Sequence, residues 1–307
     1  MTTHQLHREL PHYAEDEWAA KRDVSIQSWL DHAVARRLKG TTYGVTDEAA
    51  NPNPVVWDDP LVNQVIKMNI ASFLIAERHS VKNTAAMIGL APDERSRIFL
   101  ASQVLDEARH FEVFSRRMAD LGVLPAEREK LMARYNAPSM RKLFGLIDEQ
   151  LDKRSFVGAA VGQNLILEGM AFPIYRYEAR YWTWFDPGLS QIIRGAFADE
   201  VQHTGYGEAF LKSVVARDVE QRNALTVLVR QFYRIMKEMF ETLISNYVGL
   251  YQAAADEHMD AIGDIMIFPN RRMADTSEEE QLRILLAEIE EEYRNRAIAI
   301  GIEPAES

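Results

Sequence analysis

The sequence predicts an all-α protein, a bundle of long helices, and three observations carry that reading. Apolar residues recur with helical spacing from about residue 60 onward, strand-like alternation is scarce, and neither a Gly-rich phosphate loop nor a nucleophile elbow interrupts the pattern. The chain has 307 residues, of which 47% are hydrophobic and 26% charged, enough for a substantial core. That length allows two domains without requiring them. We read residues 1–60 as an N-terminal helix and extended arm packing on the core, and 61–307 as one helical bundle.

The elements follow in order. The segment "NPNPVVWDDP" at 51–60 carries Pro52, Pro54 and Pro60 among Asn and Asp, which predicts an extended or turn-like stretch. An apolar-periodic helix should cover 61–90. The next begins at "APDERSRIF", with Pro92 and acidic residues at its first turn, and should end at "ADLG" with Gly122 as its C-terminal cap. A third long helix is predicted over about 154–183, with an irregularity near Pro173 that adjusts access to whatever Glu168 faces. Tyr175, Tyr177, Tyr181 and Trp182 follow it as packing or redox-active aromatics. A fourth runs from "DPGLSQIIRGAF" to "VARD", and a long amphipathic stretch from "VEQRN" to "GLYQ" makes a fifth. The tail "TSEEEQLRILLAEIEEEYRNR" reads as an acidic helix with a Thr/Ser cap, packed through Leu282, Ile284, Leu285 and Ile289.

Charge and composition exclude several classes of function. The net charge of -11 argues against general nucleic-acid binding. Cysteine is absent, which removes disulfides, thiolate metal sites and cysteine nucleophiles. Any metal must use His and carboxylate, ligands suited to Fe, Mn or Zn. No secretory h-region opens the sequence and no uncharged apolar run is long enough to span a bilayer, so a cytoplasmic protein is expected.

The chemistry lies in two repeats of one pattern, "LDEARHFEVF" at 105–114 and "ADEVQHTGYG" at 198–207. Each sets a Glu and a His three residues apart, Glu107 with His110 and Glu200 with His203, on one face of a helix. That face is apolar. It continues through Leu100, Val104, Phe111, Phe114 and Met118 in one case, and through Ile193, Phe197, Gly207, Phe210 and Leu211 in the other. A third match, Glu9 with His12, has Pro11 and polar neighbours and is set aside. Burying a lone carboxylate costs several kcal/mol, about the scale a metal ion compensates. Glu77 and Glu168 follow apolar runs on two other helices, with Ile66, Ile70, Phe73 and Val81 beside one and Val161, Leu165 and Phe172 beside the other. Chain order is then Glu, Glu-x-x-His, Glu, Glu-x-x-His, the arrangement of carboxylate-bridged di-iron and di-manganese four-helix proteins. Four carboxylates balance two divalent ions. Asp106 and Asp199 precede the two motif glutamates, and Phe111, Phe114, Met170, Phe172, Phe197 and Gly207 lie beside the ligands as candidate pocket residues, with Gly169 and Gly207 leaving room.

With these motifs on the page, the chain resembles the ferritin-like superfamily, and within it the R2-like group named for the ribonucleotide reductase small subunit. "LDEARHFEVFSRRMADLG", "LILEGMAFPIY", "ADEVQHTGYGEAF" and "VVWDDP" are similar to segments of the R2-like ligand-binding oxidases. The resemblance implies a four-helix dimetal core with extra flanking helices and two metal ions per chain, Fe/Fe or Mn/Fe. Glu77, Glu107 and His110 would bind one ion, and Glu168, Glu200 and His203 the other, with Glu107 among the bridging carboxylates. Asp199 with Trp57, and Asp106, would support the metal-bound histidines from behind. The implied partners are O2, a small apolar organic substrate and an electron donor, in a homodimer.

The departures shape the functional expectation. Where the resembled oxidases carry a Tyr and a Val that crosslink, this chain has Gln163 and Ser80. The reductase radical Tyr falls at Phe114, the tail "AIAIGIEPAES" has no relay Tyr, and the extra His of arylamine N-oxygenases is missing around Ala196. An O2-activating oxidase or oxygenase is therefore the expected function, with a radical-generating reductase subunit the first alternative. An arylamine N-oxygenase, a ferroxidase and a non-catalytic metal-binding bundle rank below it.

Overall fold

In the structure, a computed structural model, residues 51–217 and 219–304 are described. The expected N-terminal helix and arm, and the Glu9/His12 match, lie outside the described residues except for 51–60. Contacts divide the chain into Met1–Thr41 and Thr42–Ser307, and everything below belongs to the second unit.

The segment at 51–60 is not extended. Val55–Asp58 closes into a short helix, α1, opened by an Asn53 side chain that accepts from Val55 N at 3.1 Å. Proline at a helix start loses no hydrogen bond, so Pro54 permits what it was expected to prevent. Helix α2, Pro60–Ile88, starts with Pro60 at its first position and the Asp59 carboxylate accepting from Leu61 N and Val62 N. Helix α3, Glu94–Asp120, is capped by Asp93 accepting from Ser96 N at 2.7 Å. It ends where Gly122 takes φ 81°, with Val123 N bonding to Met118 O and Gly122 N to Ala119 O. This is a Schellman stop that needs a residue without Cβ. Helices α4, Pro125–Tyr135, and α5, Pro138–Asp152, follow, each with Pro in its first turn.

The predicted helix over 154–183 is divided. It consists of α6, Phe156–Ala160, a π-helical segment, Val161–Glu168, and α7, Phe172–Phe185, with a turn at Ala171. The expected irregularity therefore exists, and most of it lies before Pro173, which sits unstrained in the first turn of α7. By length and composition Phe156–Phe185 could cross a membrane, yet 83% of its most apolar window is buried inside the bundle. Helix α8, Pro187–Arg217, is capped by Asp186, which accepts from Leu189 N at 2.8 Å and also pairs with buried Arg117 at the end of α3. Helix α9, Val219–Asp256, a short α10, Met259–Ile262, and a small antiparallel pair, β1 Met266–Phe268 with β2 Arg271–Arg272, lead to α11, Glu278–Ala299. Ser277 caps α11 as expected, and Leu285 and Ile289 bury its inner face while Leu282 and Ile284 are half-buried.

Helix α2 packs along α3, α8 packs against α3, α7 and the π segment, and α9 covers the π segment, α5 and α11. The core is a four-helix arrangement of α2, α3, the α6–π–α7 rod and α8, flanked by α9 and α11. Gly162 marks one close crossing: a Cβ there would lie 2.7 Å from Phe232 and from Ile147.

Candidate metal centre

Each core helix delivers one part of a single cluster. Glu77 comes from α2, Glu107 and His110 from α3, Glu168 from the last π residue, and Glu200 and His203 from α8. All six are buried, with at most 4% exposure. Their candidate ligand atoms form two groups, Glu77, Glu107, His110 and Glu200, and Glu107, Glu168, Glu200 and His203, with every atom of a group within 4.8 Å of the others. Both groups share Glu107 and Glu200. The resemblance implies a bridging role for Glu107 alone by name; Glu200 is common to both groups in the same way.

The imidazoles face inward through Nδ1. His110 Nδ1 lies 3.4 Å from Glu77 Oε2 and 3.6 Å from Glu107 Oε2 and from Glu200 Oε1. His203 Nδ1 lies 3.3 Å from Glu107 Oε1 and 3.2 Å from Glu200 Oε2. The outer nitrogens are held by aspartates in a crossed arrangement. His110 Nε2 is 2.9 Å from Asp199 Oδ2, and His203 Nε2 is 3.3 Å from Asp106 Oδ2. Each aspartate thus precedes the Glu of one motif and holds the His of the other. An Nε2–H donated to a carboxylate leaves the Nδ1 lone pair facing the cluster. Arg109 bridges both aspartates, 2.8 Å from Asp106 and 2.6 Å from Asp199. Trp57, expected at Asp199, is instead 46% exposed on α1, and Arg109 donates to Asp199 beside the His110 imidazole. A guanidinium reaches both aspartates at once, which a single indole N–H cannot do.

Crowding of four carboxylates sets the protonation. Burial pushes Glu77 up to about 8, and burial with the Glu200 and Glu107 charges pushes Glu168 well above the usual carboxylate range. Burial disfavours the charged form of His110, yet the carboxylates of Glu77 and Glu107 beside it raise its pKa to about 10. His203, likewise disfavoured by burial, is raised to about 12 by Asp106 and Glu200. Burial would also raise Glu107, but the two imidazoles bring it down to about 2. These shifts favour the protonated imidazoles as counter-charge to the carboxylates in the metal-free chain, with the second proton on Nδ1.

A ring of carboxamides surrounds Glu168, and the sequence reading missed it. Gln103 Nε2 donates to Glu168 Oε1 at 2.7 Å and to Glu107 Oε1 at 3.2 Å. Gln163 Nε2 donates to the same Glu168 oxygen at 2.9 Å and to Ser80 Oγ at 2.8 Å. Asn164 Nδ2 reaches Glu168 Oε2 at 3.1 Å, and Asn83 Nδ2 holds Gln163 Oε1 at 3.0 Å. The wider π turn lets residues four and five before Glu168 face it together. Gln103, not the half-buried Val104 of the expected stripe, occupies the inward position one turn before Glu107.

A cavity of about 140 Å³ opens from this cluster. Glu77, Glu168 and Glu200 form part of its wall, and most of the remainder is apolar or aromatic, from α2, α7 and α9 with Met140 and Phe144 of α5. None of the six expected pocket residues lines it. Phe114 stacks on Phe73 at 4.6 Å in the core, and Phe172 meets Phe197 edge-to-face at 4.9 Å. Phe111 lies 5.5 Å from Arg78 and from Arg128, and Met170 is fully buried. The room beside Gly207 is filled by Asn164, and that beside Gly169 by Arg296. The expected positions lie on faces where helices touch each other; the cavity forms where α9 closes over α2 and α7. Tyr175, expected as a packing or redox aromatic, lines the cavity, and its hydroxyl donates to Glu200 Oε1 at 3.5 Å.

Comparison with solved structures matches this architecture. An R2-like ligand-binding oxidase variant with an aerobically reconstituted Mn/Fe cofactor aligns with a TM-score of 0.60 at 14% identity, covering 86% of this chain and 94% of that one. A second variant of that oxidase, with an anaerobically reconstituted Mn/Fe cofactor, gives 0.59 at 16% identity over 89% and 94%. A Synechococcus protein with aldehyde deformylating oxidase activity gives 0.58 at 16% identity over 80% and 94%. No protein-family model matches the chain, and neither does the sequence of any curated protein. At such identities the likeness establishes the fold: a ferritin-like, R2-like helical bundle with buried Glu/His clusters.

Proposed function

We propose that the chain is a dinuclear metal oxidoreductase that activates O2 and acts on an apolar organic substrate by hydrogen abstraction or oxygen insertion, drawing electrons from a separate donor. One observation carries this reading: six buried Glu and His side chains form two overlapping ligand groups, and three of the six also wall an apolar cavity.

The residues present fit such a cofactor. Four carboxylates and two imidazoles with no thiolate suit Fe and Mn. Glu107 Oε2 is buried without a hydrogen-bond partner among the described residues, an orphaned acceptor of the kind a cation would satisfy. Glu77 and His110 would hold one ion, Glu168 and His203 the other, and Glu107 and Glu200 both. An iron–iron or manganese–iron pair held there would supply the redox equivalents for O2 activation. The protein's own part is to orient, to dry and to gate protons. Asp106 and Asp199 fix the imidazole orientation, and the carboxamide ring turns Glu168 toward the cluster. Phe73, Phe144 and Leu167 keep the cavity wall apolar beside it. Tyr175 holds its phenolic proton against Glu200, since burial raises its pKa well above the ordinary value.

The test is metal content together with O2 uptake, for wild type and Glu107→Ala grown with both Mn and Fe. About two ions per chain, lost in the variant, with O2 consumed on adding a reductant, is the expected result. Properly folded wild type that takes up no stoichiometric metal would sink the reading. A radical-generating role has one observation in its favour, the Tyr175 hydroxyl beside Glu200. A tyrosyl electron-spin signal after exposure to O2, absent in Tyr175→Phe, would select that alternative.

A further inference from the structure

The cavity has a second polar end. Eight residues before Glu77 on α2, about 12 Å away along a helix rising ~1.5 Å per residue, Asn69 enters the cavity wall. Glu178 of α7 and Tyr251 of α9 line the same end. All three are buried, with Asn69 1%, Glu178 5% and Tyr251 2% exposed. Asn69 Nδ2 donates to Glu178 Oε2 at 2.6 Å, and the Tyr251 hydroxyl donates to Glu178 Oε1 at 3.2 Å. Those bonds use up the donors that face the carboxylate and leave an acceptor over: Asn69 Oδ1 is buried with no partner among the described residues. No Lys, Arg or His pairs with Glu178 among the described residues.

A structural polar cluster normally satisfies its own acceptors, and a buried carboxylate normally has a cation. This one does neither, in a cavity wall that also carries Met236, Met239, Phe240 and Ile244 and the mutually bonded Ser72 and Tyr247 hydroxyls. We propose that Asn69, Glu178 and Tyr251 form a head-group subsite for a primary ammonium, so that the cavity takes an alkylamine whose amine end lies at Glu178 and whose alkyl end lies toward Glu77, Glu168 and Glu200. The ammonium donates to the Glu178 carboxylate and to Asn69 Oδ1, with the Tyr251 ring beside it, and the alkyl chain fills the apolar length between. Burial holds Glu178 near 7, poised to ionise when a cation arrives. The orientation rests on the oxidoreductase reading, because it says which end of the ligand meets the Glu/His cluster; the subsite itself does not need a metal.

Calorimetric titration of the full chain, metal-free and metal-loaded, with decylamine, decanol and decanoate tests this. Decylamine should bind wild type about tenfold or more tighter than decanol in both forms, the scale of one charge-assisted hydrogen bond. In Glu178→Gln the preference should collapse while decanol binding stays unchanged, and Asn69→Leu should lose part of it. Equal binding of amine and alcohol by wild type would overturn the proposal without recourse to any variant. So would a preference that survives Glu178→Gln, or a metal-dependent preference for decanoate, which would put the head group at the cluster instead. Failure to load metal with the amine preference intact would refute the oxidoreductase reading and leave the subsite standing.

Discussion

At the scale of single residues, the site is a charge problem solved by placement. The crossed Asp–His pairs make a specific prediction. Asp199→Asn should keep the fold and weaken metal binding by roughly 10- to 100-fold, and Asp106→Asn should do the same, because each replaces the charged acceptor that orients one imidazole with a neutral amide. Competition against a chelator would measure it, and an unchanged affinity would show that Nε2 orientation is set otherwise. Tyr175→Phe removes one hydroxyl from the cavity wall and leaves all six ligands in place. Metal content should stay near two ions per chain while turnover falls by about tenfold or more, if the phenol moves a proton. The four acidic ligands and two histidines were readable because their spacing matched a helical face. The carboxamides were not, because Gln and Asn on a stripe look like ordinary helix polar residues until the carboxylate they serve is known to lie across from them.

At the scale of elements, the π segment and α8 decide the shape of the site. Val161–Glu168 carries Gln163, Asn164 and Glu168 inward together, and α8 passes so close that a Cβ on Gly207 would meet Asn164 Cβ at 2.5 Å. Asn164 cannot swing away at its Cβ, so Gly207→Ala must push the helix or the segment aside. A loss of roughly 1–3 kcal/mol is expected from overpacking at such a crossing, with weakened metal binding because Glu168 moves. Chemical denaturation and metal titration would read the two effects, and a variant as stable as wild type would mean the crossing yields. The helices α2, α3 and α8 were legible from capping residues and apolar spacing. The division of the predicted 154–183 helix was not, apart from the hint at Pro173, because no Gly-Pro or other breaker cluster marks the π segment at Val161–Glu168. Trp57 shows the same limit from the other side, since its segment supplies a short helix rather than a buried partner for Asp199.

At the scale of the whole molecule, cluster protonation couples the metal to stability. In the metal-free protein Glu77 is raised from 4.5 to about 8, His110 from 6.5 to about 10, and His203 from 6.5 to about 12. Over that range the folded chain holds more protons than the unfolded one, so stability falls as pH rises. The histidine contribution is complete below about 6.5 and is lost as pH climbs through the folded values, while Glu77 becomes increasingly unfavourable from about 4.5 to 8. Glu107, lowered to about 2, works oppositely, and its contribution is lost only as pH falls through that value. The Tm of metal-free protein should therefore drop between roughly pH 6 and pH 9, and metal loading should flatten the drop and raise Tm. A Tm profile unaffected by metal would separate the cluster from the stability of the fold.

The sequence by itself determined most of the long helices, the Gly122 and Ser277 ends and the six inward Glu and His positions, because these follow from 3.6-residue spacing and from what a helix end requires. It did not determine where space remains. Cavity, carboxamide ring and the Asn69–Glu178–Tyr251 cluster each join residues far apart in the chain: the packing of α9 over α2 and α7 closes the cavity and its polar cluster, and the approach of the π segment to α2 and α3 closes the ring. A helical face says which residues point inward; whether they meet a neighbour or enclose a void is settled by the neighbour.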